Sequence, residues 1–330
     1  MRHKKQQKKR PHPYKYVQFK GRFGYSFDKE KPKLNKISVG KAIGIYEEEI
    51  FEQVSSAFNE VMDDPELVLD LTKVVSITIN GGLLLKGFCD EFYHKYNKKP
   101  NIKSPENNKM KAVLKYLKIK NYQDVKVEHY QDIMCWQVLS YDYTQGNIDF
   151  GKLLATEIIP KCWKGSHTIS KHSSNIATSV SETIYNCKEH AYTGTKSNST
   201  FKQWYLGVGE YPDDTHKFSF CIYDKGIGIK ARLKSNPSGW VENILDLSRS
   251  DSSMIELATK GKKVATEDGR GQGLKNAIEL LAKNYGEIDI FSDCGFFSSH
   301  DENSGIDRKP RLEGTMVSFS FPVEYNKESL

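Results

Sequence analysis

The sequence predicts an α/β (α+β) protein of two modules, a smaller one in front of a larger one. Two observations carry this. Between residues 41 and 122, short apolar runs alternate with helical periodicity, separated by Gly- and Pro-containing turns. From residue 174 to 321, a long amphipathic helix is followed by alternating strands and glycine-rich turns. A length of 330 residues suits two such modules.

Composition sets the outer limits. Hydrophobic residues at 38% and aromatics at 12% can fill real cores, which excludes a disordered chain. No run approaches the roughly 20 apolar residues of a membrane-spanning helix, and the N-terminus has no apolar signal core. A cytoplasmic protein with no membrane contact is the expectation. The six cysteines, Cys89, Cys135, Cys162, Cys187, Cys221 and Cys294, are scattered without a C-x-x-C pair. They read as reduced, mostly buried thiols, with neither a zinc site nor a disulfide framework.

The net charge of +7 is concentrated in one place. Arg2, Lys4, Lys5, Lys8, Lys9 and Arg10 occupy the first ten residues without an acid among them, which leaves about +1 for everything else. Only this tail is a candidate for contacting nucleic acid. A solubilising tail has the same composition.

Residues 1–40 form a basic segment with weak periodicity. Residues 41–145 form the front module. Glu66 to Leu71 is a compact apolar strand, followed by a turn around Asn80-Gly81-Gly82 and a helix carrying Leu83, Leu84, Phe88 and Phe92. A second helix places Met110, Val113, Leu114 and Leu117 on one face. Met134 to Leu139 is a further strand, and a polar Gly/Asn/Asp stretch to about 150 links the two modules. Leu67-Val-Leu-Asp70-Leu71, Val74 and Asn80-Gly81 resemble the STAS fold of anti-sigma-factor antagonists. Where such proteins carry a phosphorylatable serine before the glycine, this chain has Asn80. Asparagine cannot accept a phosphoryl group, and a helix N-cap is the role expected of it.

The second module, residues 146–325, carries three motifs, and a short tail, 326–330, follows. Ala177, Val180, Ile184, Cys187 and Ala191 form an apolar stripe over 174–193, with Glu182, Asn186, Glu189 and Thr193 on the opposite side. Those polar residues are either a solvated face or a site. Glu182 and Asn186 lie one turn apart. An amide oxygen suits magnesium, a hard cation, and a carboxylate suits a general base. Next, Phe218, Phe220 and Ile222 alternate with Ser219, Cys221 and Tyr223 in a buried strand that ends in Asp224-Lys-Gly226-Ile-Gly228. A carboxylate there can accept a hydrogen bond from a base, and glycines let the backbone come close. A capped surface turn has the same residues.

Third, Gly269-Arg270-Gly271-Gln-Gly273-Leu274 feeds a helix with Leu274, Ala277, Ile278 and Leu281 on one face. A glycine-rich loop at a helix N-terminus can cradle phosphates, with Arg270 adding a charge-assisted contact. Between the second and third motifs, residues 230–268 read as a partly helical lid segment. Finally, Thr315, Val317, Phe319 and Phe321 alternate with small polar residues, as in a strand with one buried face.

In this order, the Glu182–Asn186, Asp224–Gly228 and Gly269–Leu274 motifs resemble the N, G1 and G2 boxes of the GHKL superfamily. That superfamily comprises the gyrase, heat-shock chaperone, histidine kinase and mismatch-repair type ATPases. Gly314-Thr315 resembles its final Gly-Thr strand. Ser181 to Tyr192, with its Glu-His-Ala run, is similar to the anti-sigma-factor serine kinase branch. The resemblance spans about 150–323. It implies a two-layer α/β sandwich of Bergerat type that binds ATP and Mg2+ behind a smaller STAS-like module. It implies Glu182 as general base, Asn186 as magnesium ligand and Asp224 as adenine acceptor. Gly226, Gly228, Gly269, Arg270, Gly271, Gly273, Leu274 and Thr315 would complete the nucleotide site.

A lysine-donating domain after the last strand is not expected from this sequence, and His167 and His172 have no pattern of a dimerising hairpin around them. The expectation is therefore a regulatory ATPase or a serine/threonine-type protein kinase. An ATP-gated conformational switch is the alternative, and a regulator tethered to nucleic acid by the tail is a third. The expected partners are ATP and either a separate protein or the chain's own front module, with a homodimer left open.

Overall fold

The computed structural model describes residues 36–126, 137–142, 150–158, 167–192, 201–210, 217–235, 249–260, 273–283, 286–300 and 305–322. Expectations for the basic tail, the link at 143–149 and the Gly269–Gln272 loop lie outside them.

In the front module, strands β1 (Lys36–Ser38), β3 (Val68–Asp70) and β5 (Asn101–Lys103) form a parallel sheet in the order β1-β3-β5. A second parallel pair joins β2 (Ala42–Ile43) and β4 (Ser76–Ile77). Parallel strands need crossovers, and helices α1 (Glu48–Asp63) and α2 (Ile79–Tyr96) supply them. Helix α3 (Asn108–Tyr116) begins at Asn107, whose side chain accepts from the Lys109 and Met110 amides.

Helix α2 starts earlier than expected. Thr78 is its N-cap, with the hydroxyl accepting from Gly81 N–H at 3.2 Å. Asn80, expected to be the cap, sits inside the first turn, wholly buried, with its amide oxygen accepting from Gly81 N–H at 2.7 Å. The two glycines expected to form a turn are helical. Most of its first three turns is buried: Ile79, Leu83, Leu84, Leu85 and Phe88 are inside, as is Phe92 further on, while Lys86, Asp90 and Tyr93 reach the surface. A helix buried on more than one side belongs between two layers.

The large sheet provides the second layer. Its antiparallel order is β6-β7-β8-β10-β9, from Gln137–Asp142, Gln203–Glu210, Lys217–Asp224, Ile306–Pro322 and Glu287–Ser298 respectively. The strand expected at 134–139 is β6, and it pairs with β7, so this sheet draws on residues before 146. A four-residue helix α4 (Phe150–Leu153) runs into a π-helical turn at Leu154–Ile158. Helices α5 (His167–His190), α6 (Ile229–Ser235), α7 (Asp251–Lys260) and α8 (Gly273–Lys283) belong to this half. Val180, Ile184 and Cys187 of α5 and Ala277 of α8 share a core with Trp204, Phe220, Val317 and Phe319 of the sheet. This half is an α/β sandwich, as predicted.

The other sheet face was expected to be open along β10, and it is closed. Met316 and Ser318 are as buried as Val317 and Phe319, and Ser320 is buried too. The cover is the front module: Tyr205, Cys221, Tyr223, Phe291 and Met316 join the core built by Phe51, Leu83 and Phe88. From Asn35 onward the chain forms one compact unit. Polar ties reinforce the seam. Tyr46 Oη donates to Asp289 Oδ2 at 3.1 Å, and Arg308 Nη1 donates to the Tyr46 carbonyl at 2.9 Å while stacking over Phe296.

The segment expected as a lid contains an anchored helix. Asp307 of β10 accepts from the first amides of α7, Ser252 N–H at 2.8 Å and Asp251 N–H at 3.3 Å. Asp251 in turn accepts from Cys294 N–H at 3.0 Å and pairs with Lys230 at 2.6 Å. Residues 251–260 are therefore fixed to the β9–β10 pair, while 236–248 and 261–268 lie outside the described residues. Asp307→Ala should lower the local stability of α7 by about 1 kcal/mol, the usual worth of a cap. Faster amide exchange at Ser252 to Ile255, with the α5 amides unchanged, is the expected readout. Unchanged exchange there would mean that Asp307 does not hold the helix.

Candidate functional site

Strand alternation decides which way Asp224 faces. Phe218, Phe220 and Ile222 project into the core beneath α5, so Asp224, two residues on, projects the same way. It meets α5 at Cys187, whose thiol donates to Asp224 Oδ2 at 3.4 Å. Gly226 N–H donates to Oδ1 at 2.8 Å, and the neighbouring Thr315 backbone also favours the charged form of the carboxyl. Two carboxylate oxygens offer about four acceptor positions, so the two protein donors leave room for another. The side chain is nearly sealed, at 3% exposure. Burial is the largest influence on its acidity and pushes the carboxyl up to about 6 against the pull of these hydrogen bonds.

Thr315 lies directly across from Asp224 in the β8–β10 pairing. Its hydroxyl is 3.2 Å from Ser292 Oγ, and that serine accepts from Ile229 N–H at 2.9 Å. Gly314, just before it, has φ +88°, and a Cβ there would overlap the Asp224 carbonyl. A side chain at 314 would thus drive β10 from β8 at the one rung joining Asp224 to Thr315.

Helix α5 brings the other polar residues. Glu182 and Asn186 are half-buried, one turn apart, with Asn186 adjacent to the Cys187 that touches Asp224. Gly226 was expected to leave space for a base, but what lies against it is the end of this helix. A Cβ at 226 would collide with the Ala191 carbonyl, which accepts from Ile227 N–H at 2.8 Å. Gly228, at φ +79°, lies against Asp293 and opens α6. The helix end is tied again through Tyr192, whose hydroxyl donates to the Gln203 carbonyl and accepts from Lys225 N–H at 3.3 Å.

Helix α8, opened by Gly273, packs against α5, the helix that carries Glu182 and Asn186, and Leu274 lies partly buried against the shared core. Gly269, Arg270 and Gly271 lie outside the described residues, as do the side chains of Glu189 and His190 and all of Thr193. Among the described residues no cluster of three His, Cys, Asp or Glu side chains could hold a metal. A magnesium ion here would depend on Asn186 together with phosphate and water oxygens, the usual habit of that ion.

Sequence reading did not single out Cys187 and Ser292. Cys187 belonged to the apolar stripe, and its place directly after Asn186 was the only signal. Ser292 carried none.

No family model matches this chain, and no curated protein matches it. Among solved structures, the histidine kinase domain from the Erythrobacter litoralis EL346 blue-light activated histidine kinase is similar at 14% identity and a TM-score of 0.25. The match covers 46% of this chain and 48% of that one, so the chain spans about half the length of that neighbour. Similarity at that level assigns neither activity nor site residues. No helix among the described residues is long and apolar enough to cross a membrane.

Proposed function

We propose that the chain is an ATP- and magnesium-binding regulatory protein of the GHKL type. One observation carries the reading. A buried carboxylate at the end of β8 keeps one acceptor position and sits beside the helix bearing Glu182 and Asn186. A purine amino group is a donor that would fill that position.

In this reading Asp224 and Thr315 hold the base end. Asn186 supplies an amide oxygen to the magnesium ion, whose chemistry is to neutralise phosphate charge. Glu182 takes a proton from the attacking water or hydroxyl. The phosphates fall at the start of α8, where free amides and the positive helix end favour anions.

Two fates of the γ-phosphate remain, and one observation favours the quieter one. The front module closes the second sheet face, which suits an ATP-gated switch acting within one chain better than a kinase acting on a separate protein. The STAS-like character of that module and a role for the basic tail belong to the same proposal. Incubation with γ-labelled ATP and magnesium should release label as free phosphate and leave none on protein. Label on a serine of a co-purified protein would restore the kinase alternative, and no retention of nucleotide at all would end the reading.

A further inference from the structure

Helix α2 grips the end of β8 from the face opposite the proposed nucleotide site. The residues on either side of Asp224 point away from it, towards α2. Tyr223 packs on Gly87, where a Cβ would stand only 3.0 Å from the ring. Lys225, with 10% of its side chain exposed, pairs with Glu91 of α2 and reaches Glu313 of β10 at 3.3 Å. One turn of α2 therefore holds both neighbours of the candidate base acceptor. Through Glu313 the same lysine also touches the strand that carries Thr315. An adjacent tie, Tyr205 Oη donating to Asp90 Oδ2 at 3.2 Å, fixes α2 along β7.

We propose that Glu91 is a positioning residue for the nucleotide site. Acting through Lys225, it sets the path of the Asp224–Gly226 backbone, so that α2 of the front module tunes how well ATP is held. The inference rests on Asp224 being the base acceptor. A nearly buried lysine is held where its carboxylates are, and of the two partners Glu91 is the one shielded from water, while Glu313 is largely exposed. Neutralise Glu91, and the ammonium seeks water, drawing the backbone of the loop with it. Coupling of this kind is reciprocal, so nucleotide must also stabilise the contact between α2 and the sheet.

The test uses the full chain with Glu91→Gln, Lys225→Met and the double variant. Glu66→Gln, which breaks the exposed Lys98–Glu66 pair of the same module, is the control. Glu91→Gln should weaken ATP binding by roughly 5- to 150-fold, the ordinary span of coupling between sites. It should add nothing in the Lys225→Met background, and Glu66→Gln should bind like wild type. Hydrogen exchange without nucleotide gives a separate readout: the Gly226 and Ile227 amides should exchange faster in Glu91→Gln. Wild-type affinity in Glu91→Gln, or an equal loss in both backgrounds, overturns the inference while ATP binding stands. If the wild-type chain binds no ATP, the nucleotide reading fails, and unchanged exchange at Gly226 and Ile227 would then overturn the positioning role as well.

Discussion

Glu182→Ala is expected to cut ATP turnover by about 10²–10⁴ while leaving ATP affinity within a small factor of wild type. Nothing in the fold stands in the way of this separation. Glu182 is half-buried on the polar side of α5, away from the Ala177–Val180–Ile184 stripe that holds the helix on the sheet. Alanine is the best helix former, so α5 should keep its place. Asn186→Ala should do the opposite, weakening the magnesium-dependent part of binding. Phosphate release at saturating ATP, with nucleotide titration beside it, reads both. Wild-type turnover in Glu182→Ala would remove the residue from the chemistry.

The second large effect belongs to Asp224. Alanine there strands two protein donors, on Gly226 and Cys187, along with the base amino group. At about 1–3 kcal/mol for each buried polar group left unpaired, ATP binding should be lost and the fold weakened. Asp224→Asn separates the two consequences. Burial raises the carboxyl from its ordinary 3.8 to about 6. Between those values the folded chain holds a proton that the unfolded chain has released, so stability falls as pH rises through that window. The loss is complete above it and amounts to at most about 3 kcal/mol. Asparagine has no such proton, so its denaturation midpoint should stay flatter from pH 4 to 6.5. Equal slopes for the two proteins would mean that the carboxyl is not sealed.

Much of this site was legible because its signals are local. The 3.6-residue stripe of α5 and the strand leading to Asp224 follow from periodicity alone, and the Gly-Thr pair of β10 fell opposite Asp224. Local signals also explain the failures. Thr78 and Asn80 are both good caps, and two glycines after Asn80 resemble a turn. Only the close packing of Gly81 on the Ile43 carbonyl, from a strand nearly 40 residues earlier, selects helix. Ser318 and Ser320 look like a solvated face because serine is polar. Their burial is imposed by helices more than 200 residues away. The Glu91–Lys225 pair joins residues 134 apart, a separation at which no periodic pattern survives.

Those separations also set a clock. A ribosome adds about 5–20 residues per second, so α2 emerges roughly 7–27 s before the strand end that carries Lys225. Until then Leu83 and Gly87 lack the β7–β8 surface they pack on, and Tyr46 waits longer still for Asp289. The nascent front module is thus the stretch where a chaperone would be needed, and mutations that slow assembly of β7 and β8 should appear first as poor yield of the full chain.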